Sequence, residues 1–259
     1  MGEHEFQGKK IIVFGASSGI GRQTAIQLGQ MGARLILVGR NEERLRETAE
    51  KLNGSNHHIL PCDVSDFDAA HNVVKDSVNI DKVKLDGCVF SAGIGAKLTP
   101  VSIMKLQALQ EMFQTNFFSF AAVLKAFSSR RISNDGASVV TLSSRDGILP
   151  GRGQAHYAAA KAAMNAYTVS AAKELAPRGI RVNAICPELV DTPMVVSLKA
   201  SIPLEQMQKN YPLGLLTAED VANTIIYLLG PHSKKITGQS IWLSAGNDGG
   251  PIEGQYFKI

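Results

Sequence analysis

The chain predicts a single-domain, doubly wound α/β fold, with a parallel sheet of about seven strands and helices on both faces. Three observations carry this expectation. Short apolar runs alternate with longer amphipathic ones along all 259 residues. Several of the short runs are nearly continuous in Val, Ile and Leu, as strands covered on both faces are. No repeat, low-complexity tract or linker interrupts the alternation, so one domain spanning 1–259 is expected.

Taken in order, Ile11–Phe14 reads as the first strand, and a glycine-rich turn leads from it into helix Ile20–Met31. Leu35–Val38 is the second strand, with Asn41 placed to cap helix Glu42–Leu52. Arg40, Arg44 and Arg46 interleave there with Glu42, Glu43 and Glu47, a pattern suited to an exposed helix face. His58–Pro61 follows, then helix Asp66–Val78 with Ser65 as its expected cap. Gly87–Phe90 precedes a long helix, Ile103–Arg130, and Ser138–Leu142 precedes another, Gln154–Ala176. After Arg181–Ile185 the alternation lapses over 193–212, where apolar and polar residues mix as in a lid over a ligand or an ordinary surface excursion. Helix Ala218–Leu229, capped by Thr217, and strand Ser240–Leu243 complete the set.

Composition narrows the function. The net charge of +4 is mild, and Lys and Arg are scattered among acids, which argues against a nucleic-acid surface. No apolar stretch approaches the ~18 residues that cross a bilayer, and no secretory leader is expected. Cys62, Cys88 and Cys186 lack the spacing of a zinc site or a disulfide framework, so no metal is expected and the cytoplasm is the expected location.

Two local patterns point to chemistry. Gly15, Gly19 and Gly21 follow the first strand and open the first helix. Glycines at such a turn let the backbone approach a pyrophosphate, which N–H groups at the helix start can bind. Tyr157 and Lys161 stand four apart in an alanine-rich helix, hence on one face. A nearby ammonium favours the phenolate and lowers a pKa of ~10, toward the range where tyrosine exchanges protons at neutral pH.

With Ser91-Ala92-Gly93, Asn116, and Ser144 thirteen positions before Tyr157, the chain resembles the short-chain dehydrogenase/reductase family in its compact form. Pro187 through Thr192-Pro193, and Ile236-Thr-Gly238-Gln, extend the resemblance over essentially the whole length. It implies a Rossmann-type fold and hydride transfer between a nicotinamide cofactor and a carbonyl or secondary alcohol. Tyr157 would be the proton donor or acceptor, Ser144 would bond the substrate oxygen, and Lys161 would hold the nicotinamide ribose. Asn116 would position a relay water. Gly15, Ser17, Ser18, Gly19, Ile20 and Gly21 would cradle the phosphates, while Asp63, Val64, Ser91, Ala92 and Gly93 would border the adenosine half. Pro187, Val190 and Thr192 would lie at the nicotinamide end.

The end of the second strand reads Gly39-Arg40-Asn41, without the carboxylate that selects NAD. Arg40 offers a planar charged fork for a 2′-phosphate, with Ser17 and Asn41 in support, so NADP(H) is expected over NAD(H). The resemblance also implies a dimer or homotetramer built on the two long helices, whose apolar residues include Phe113, Phe117, Phe118, Phe120, Ala171 and Ala172. Glu188 departs from the glycine usual after Pro187 and could face substrate or solvent. Two alternatives stand beside a small-molecule reductase. One is a 3-oxoacyl-acyl-carrier-protein reductase, with Arg130, Arg131 and Arg178 as a docking surface or as solvated charge. The other is a dinucleotide-sensing protein without catalysis.

Overall fold

The computed structural model describes residues 4–95, 97–193 and 209–247. Its central sheet contains β1 (Lys10–Phe14), β2 (Arg34–Gly39), β3 (His58–Pro61), β4 (Leu85–Phe90), β5 (Ser133–Leu142), β6 (Arg181–Pro187) and, numbered last, β9 (Ser240–Leu243). All pairings are parallel, in the order β3-β2-β1-β4-β5-β6-β9. The order reverses between β1 and β4, so the strand ends there part and leave a crevice. β7 (Val190–Asp191) and β8 (Leu216–Thr217) form a small separate sheet that the sequence pattern did not announce.

Among the described residues, six α-helices pack on the sheet: α1 (Gly19–Gln30), α2 (Glu42–Ala49), α3 (Phe67–Asn79), α5 (Ser119–Phe127), α6 (Ala155–Leu175) and α7 (Ala218–Leu229). α4 (Leu106–Phe113) precedes α5. Alternate strand residues feed opposite faces. Ile11, Val13, Leu35 and Leu37 join Leu28 of α1 and Val221 and Ile225 of α7. Ile12, Phe14, Ile36 and Phe90 join Val74 of α3, Phe120 of α5 and Met164 of α6. Burial on both sides explains why these strands read as continuous apolar runs. Each such side chain contributes about 1.5–3 kcal/mol.

Three expectations change. The helix expected over Ile103–Arg130 is interrupted: a 3₁₀ turn at Val101–Ile103, then α4, a π-helical turn at Gln114–Phe118, and α5. Asp66 replaces Ser65 as the cap of α3, because its carboxylate accepts from the Ala69 N–H at 2.9 Å. β5 begins at Ser133, where Leu85 pairs with it before a register shift. Asn41 and Thr217 cap α2 and α7 as expected, Thr217 through a reciprocal capping box with Asp220. Of 193–212, residues 194–208 lie outside the described residues, as does the tail from 248 onward.

Candidate active site

The turn from β1 into α1 is forced by its neighbours. Gly15 has φ of +77°, and a Cβ there would meet Ser91 backbone atoms at 2.8 Å. Ser91 in turn donates its N–H to the Phe14 carbonyl, which fixes the ends of β1 and β4 side by side. Gly21 lies one turn further, where a Cβ would strike the Gly15 carbonyl, so it serves close packing. Arg22 locks the turn to α2, donating to the Ser17 carbonyl at 2.6 Å and pairing with Glu47 at 2.9 Å.

A cleft opens above this turn, at the carboxyl ends of the strands. Gly15, Ser17, Ser18, Gly19, Ile20, Arg40, Asp63, Val64, Ser91, Ala92, Gly93 and Thr192 all line it. Gly39, Cys62, Ile94, Thr115 and Pro193 line it too, and of these Ile94 and Thr115 belong to no pattern in the sequence. Asn41, Pro187 and Val190 are not among the lining residues. Asn41 is occupied as a cap, its Oδ1 accepting from the Arg44 N–H at 2.9 Å.

The two ends of the cleft differ in chemistry. At one end, Gly39 would direct a Cβ toward Ser17 Oγ, 3.4 Å away, so β2 itself ends without a carboxylate. Arg40 is exposed beside it. Asp63 keeps its carboxyl below the usual range, chiefly because the Ser65 backbone N–H donates to it, with a smaller contribution from Arg40. At the other end, Thr192 faces Gly19 across the opening.

Behind the Gly93 wall stand the catalytic candidates. A Cβ on Gly93 would collide with Asn116 Oδ1 and come within 3.7 Å of Lys161 Nζ. Asn116 is fully buried in the π-helical turn, its amide paired both ways with Ile94, accepting from N–H and donating to the carbonyl at 3.1 Å each. Such a turn inside a helix is a frequent mark of a functional position. Ser144, two residues beyond β5, accepts from the Asp146 N–H at 3.2 Å and hydrogen-bonds Tyr157.

Tyr157 and Lys161 share the inner face of α6, with Lys161 Nζ 5.6 Å from the Tyr157 ring centroid. The electrostatics differ from the expectation. Burial pushes Tyr157 up to about 12, against the pull of its hydrogen bond with Ser144. Lys161 is itself pushed down to about 8 by burial, and its Nζ donates to the Leu142 carbonyl at 2.7 Å. Desolvation outweighs the ammonium because Lys161 is aimed at β5 and not at the phenol oxygen.

Two other expectations are redirected. Glu188 does not point to solvent: its side chain is 2% exposed and lies 3.4 Å from Arg145 Nε. Arg130 and Arg178 both pair with Asp135, at the amino end of β5, and Arg131 adjoins them. The ten-residue strand puts them roughly 30 Å from Ser144, which is poor placement for docking a carrier protein at the site.

The glycine cradle, the cleft and the pair of half-buried Tyr157 and buried Lys161 fit a dinucleotide lying from Arg40 to Thr192. Among the described residues no group of His, Cys, Asp and Glu is arranged to hold a metal ion. The family description "Enoyl-(Acyl carrier protein) reductase" matches residues 15–248. Carbonyl reductase family member 4 of Danio rerio is 34% identical over 91% of this chain and 96% of its own. A 3-oxoacyl-acyl-carrier-protein reductase of Staphylococcus aureus is 32% identical over 92% of this chain and 97% of its own. Among solved structures, a short-chain dehydrogenase/reductase from Mycobacterium ulcerans superposes with a TM-score of 0.87 at 29% identity, covering 93% of this chain and 90% of its own. A short-chain dehydrogenase from Burkholderia cenocepacia in complex with NADP gives 0.85 at 27% identity, over 93% and 98%. This chain belongs to the short-chain dehydrogenase/reductase family and is an oxidoreductase working between carbonyl and alcohol groups with a nicotinamide cofactor.

Proposed function

We propose that the enzyme is an NADP(H)-preferring reductase of small carbonyl compounds, with Tyr157 as proton donor. The observation that carries this reading is the convergence of Ser144, Tyr157 and Lys161 beside a cleft lined by Arg40, where β2 ends on Gly39 in place of a carboxylate. When bound, the cofactor supplies or accepts the hydride. The protein does the rest. Ser144 donates its hydroxyl to the substrate oxygen and steadies charge that develops there. Tyr157, held near 12, keeps its proton at neutral pH and can deliver it to that oxygen. Lys161, behind Gly93, holds the ribose end, and Asn116 fixes the Ile94 segment that walls the cleft. Gly15 through Gly21 receive the phosphates, and Arg40 with Ser17 receives the 2′-phosphate. The cofactor preference is further supported by the NADP complex of the Burkholderia cenocepacia neighbour.

Phe118 and Val169 stay 43% and 37% exposed on the long helices, and we read this face as the contact of a homotetramer or dimer. Phe120, Ala171 and Ala172, by contrast, face the core and leave that surface narrower than expected. The described residues include no helix able to span a membrane, and the cysteines among them are free, in keeping with a cytoplasmic enzyme. A second reading, reduction of carrier-linked 3-oxoacyl groups, is favoured by the Staphylococcus aureus relative. A panel of ketones, aldehydes, alcohols and a 3-oxoacyl thioester, followed through nicotinamide absorbance with NADPH and NADH, tests both. The proposal fails if no carbonyl substrate is turned over, or if only the carrier-linked thioester is.

A further inference from the structure

Glu188 has no part in the chemistry just assigned, yet it is a buried carboxylate. Three segments converge on it. Its backbone N–H donates to the Leu243 carbonyl at 3.1 Å. Its Oε1 accepts from Trp242 Nε1 at 3.2 Å and lies 3.4 Å from Arg145 Nε. Its Oε2 accepts from the Tyr211 hydroxyl at 3.5 Å. Trp242 belongs to β9, the edge strand of the central sheet paired with β6, and Tyr211 packs with Leu189 and Leu215. Arg145 immediately follows Ser144, and Glu188 itself leads through β7 to Thr192.

We propose that Glu188 is a positioning residue: as a carboxylate anchored on the sheet by Trp242, it holds Arg145, and with it Ser144, in register with the Thr192 segment. The proposal rests on the reading above that Ser144 orients the substrate oxygen. An isolated carboxylate at such depth is costly, so its charge persists only with the guanidinium in place. A catalytic hydroxyl misplaced by a fraction of an ångström loses much of its effect, which is what such a tether prevents.

The groups facing Glu188 are Arg145 and Asp146 from the segment after β5, Tyr211 from the segment before β8, and the neutral Trp242 from β9. Asp146 also approaches Arg145, its Oδ1 3.6 Å from Nη1. One guanidinium thus serves two carboxylates. Burial raises both above the ordinary carboxylate range, Arg145 opposing the shift in each. A raised value means that Glu188 takes up a proton in milder acid than a free glutamate, and the tether weakens as pH falls through that point.

Trp242 is the chain's single tryptophan, so its emission reports on this carboxylate directly. Emission of the wild-type protein, titrated from neutrality into acid, is expected to show a step above the ~4.3 of a free glutamate. Glu188→Gln should abolish the step and Asp146→Asn should keep it. In turnover, Glu188→Gln should lower kcat about tenfold with the Kd for NADPH and the Tm little changed, and should flatten the acid limb of the kcat profile. Glu188→Asp should recover part of the loss. Three results overturn the proposal: no emission step in the wild type, an active Glu188→Gln variant with unchanged kcat and acid limb, or parallel losses of kcat, cofactor affinity and Tm. An enzyme inert toward the whole panel overturns the functional reading, and this one with it.

Discussion

Replacing Arg40 with alanine isolates the cofactor preference from the chemistry, because Arg40 lies at the end of the cleft opposite Thr192. Gly39 contributes no side chain, and its Cβ direction points at Ser17, so Arg40 is the cation placed at the mouth where a 2′-phosphate would lie. Hydrogen bonds to a charged group contribute about 1.5–3 kcal/mol. Arg40 is exposed, which puts its contribution near the lower figure. At about 1.4 kcal/mol per factor of ten, Arg40→Ala should raise the KM for NADPH by about tenfold. The KM for NADH should change by less than about twofold, since NADH carries no phosphate there for the guanidinium to hold. The companion Gly39→Asp restores an acid that repels phosphate and accepts from ribose hydroxyls, and its φ is unexceptional. It should invert the preference. Initial rates with both cofactors, and direct titration by reduced-nicotinamide fluorescence, measure these effects. Equal changes for NADPH and NADH in Arg40→Ala would refute the assignment, as would wild-type enzyme that uses NADH at least as well.

Tyr157→Phe should reduce turnover by about 10³-fold or more while leaving cofactor affinity within about twofold, read by steady-state rates and fluorescence titration. Lys161 carries its charge only below about 8, so kcat/KM for reduction should hold through neutrality and fall as pH rises past that value; a profile flat to high pH excludes the charged form from the mechanism. Arg181 is buried and donates to the carbonyls of Leu228, Leu229 and Gly230, which end α7. Arg181→Met should therefore cost about 2–4 kcal/mol in chemical denaturation, with activity of the folded fraction retained. Phe118→Glu should shift light scattering from a tetramer or dimer toward the monomer, since the exposed ring is the apolar centre of that helix face.

The strands and the glycine turn were legible because their causes are local. A run such as Ile11–Phe14 can only be buried on both sides, and Gly15 is required by the approach of Ser91 as well as by its own φ. Helix ends were legible where a side chain closes its own cap, as at Asn41 and Thr217, and not where two neighbouring residues compete, as at Ser65 and Asp66. The π-helical turn at Asn116 left no trace in the apolar pattern of Ile103–Arg130, because it is set by the fit of the Asn116 amide to Ile94, a contact between distant segments. Glu188 was visible as an oddity, but its fate depends on Arg145, Tyr211 and Trp242, which no spacing rule brings together.

The Tyr157–Lys161 pair shows how spacing and electrostatics can part. Four residues along one helix do place the two side chains together, as the 5.6 Å from ammonium to ring centroid records. Proximity to the ring is not proximity to the phenol oxygen, and Lys161 gives its hydrogen bond to Leu142 at the end of β5. Each group therefore responds mainly to its own burial: the phenol keeps its proton more firmly, and the ammonium holds its charge less firmly. At neutral pH the site then presents a protonated acid beside a cation, the state required to protonate an oxygen as negative charge develops on it. Oxidation of an alcohol needs the phenolate instead, and its cost falls as pH rises toward about 12. Under the roles proposed for these side chains, carbonyl reduction is expected near neutrality and alcohol oxidation toward alkali, an ordering that follows from desolvation and not from the spacing that first drew attention to the pair.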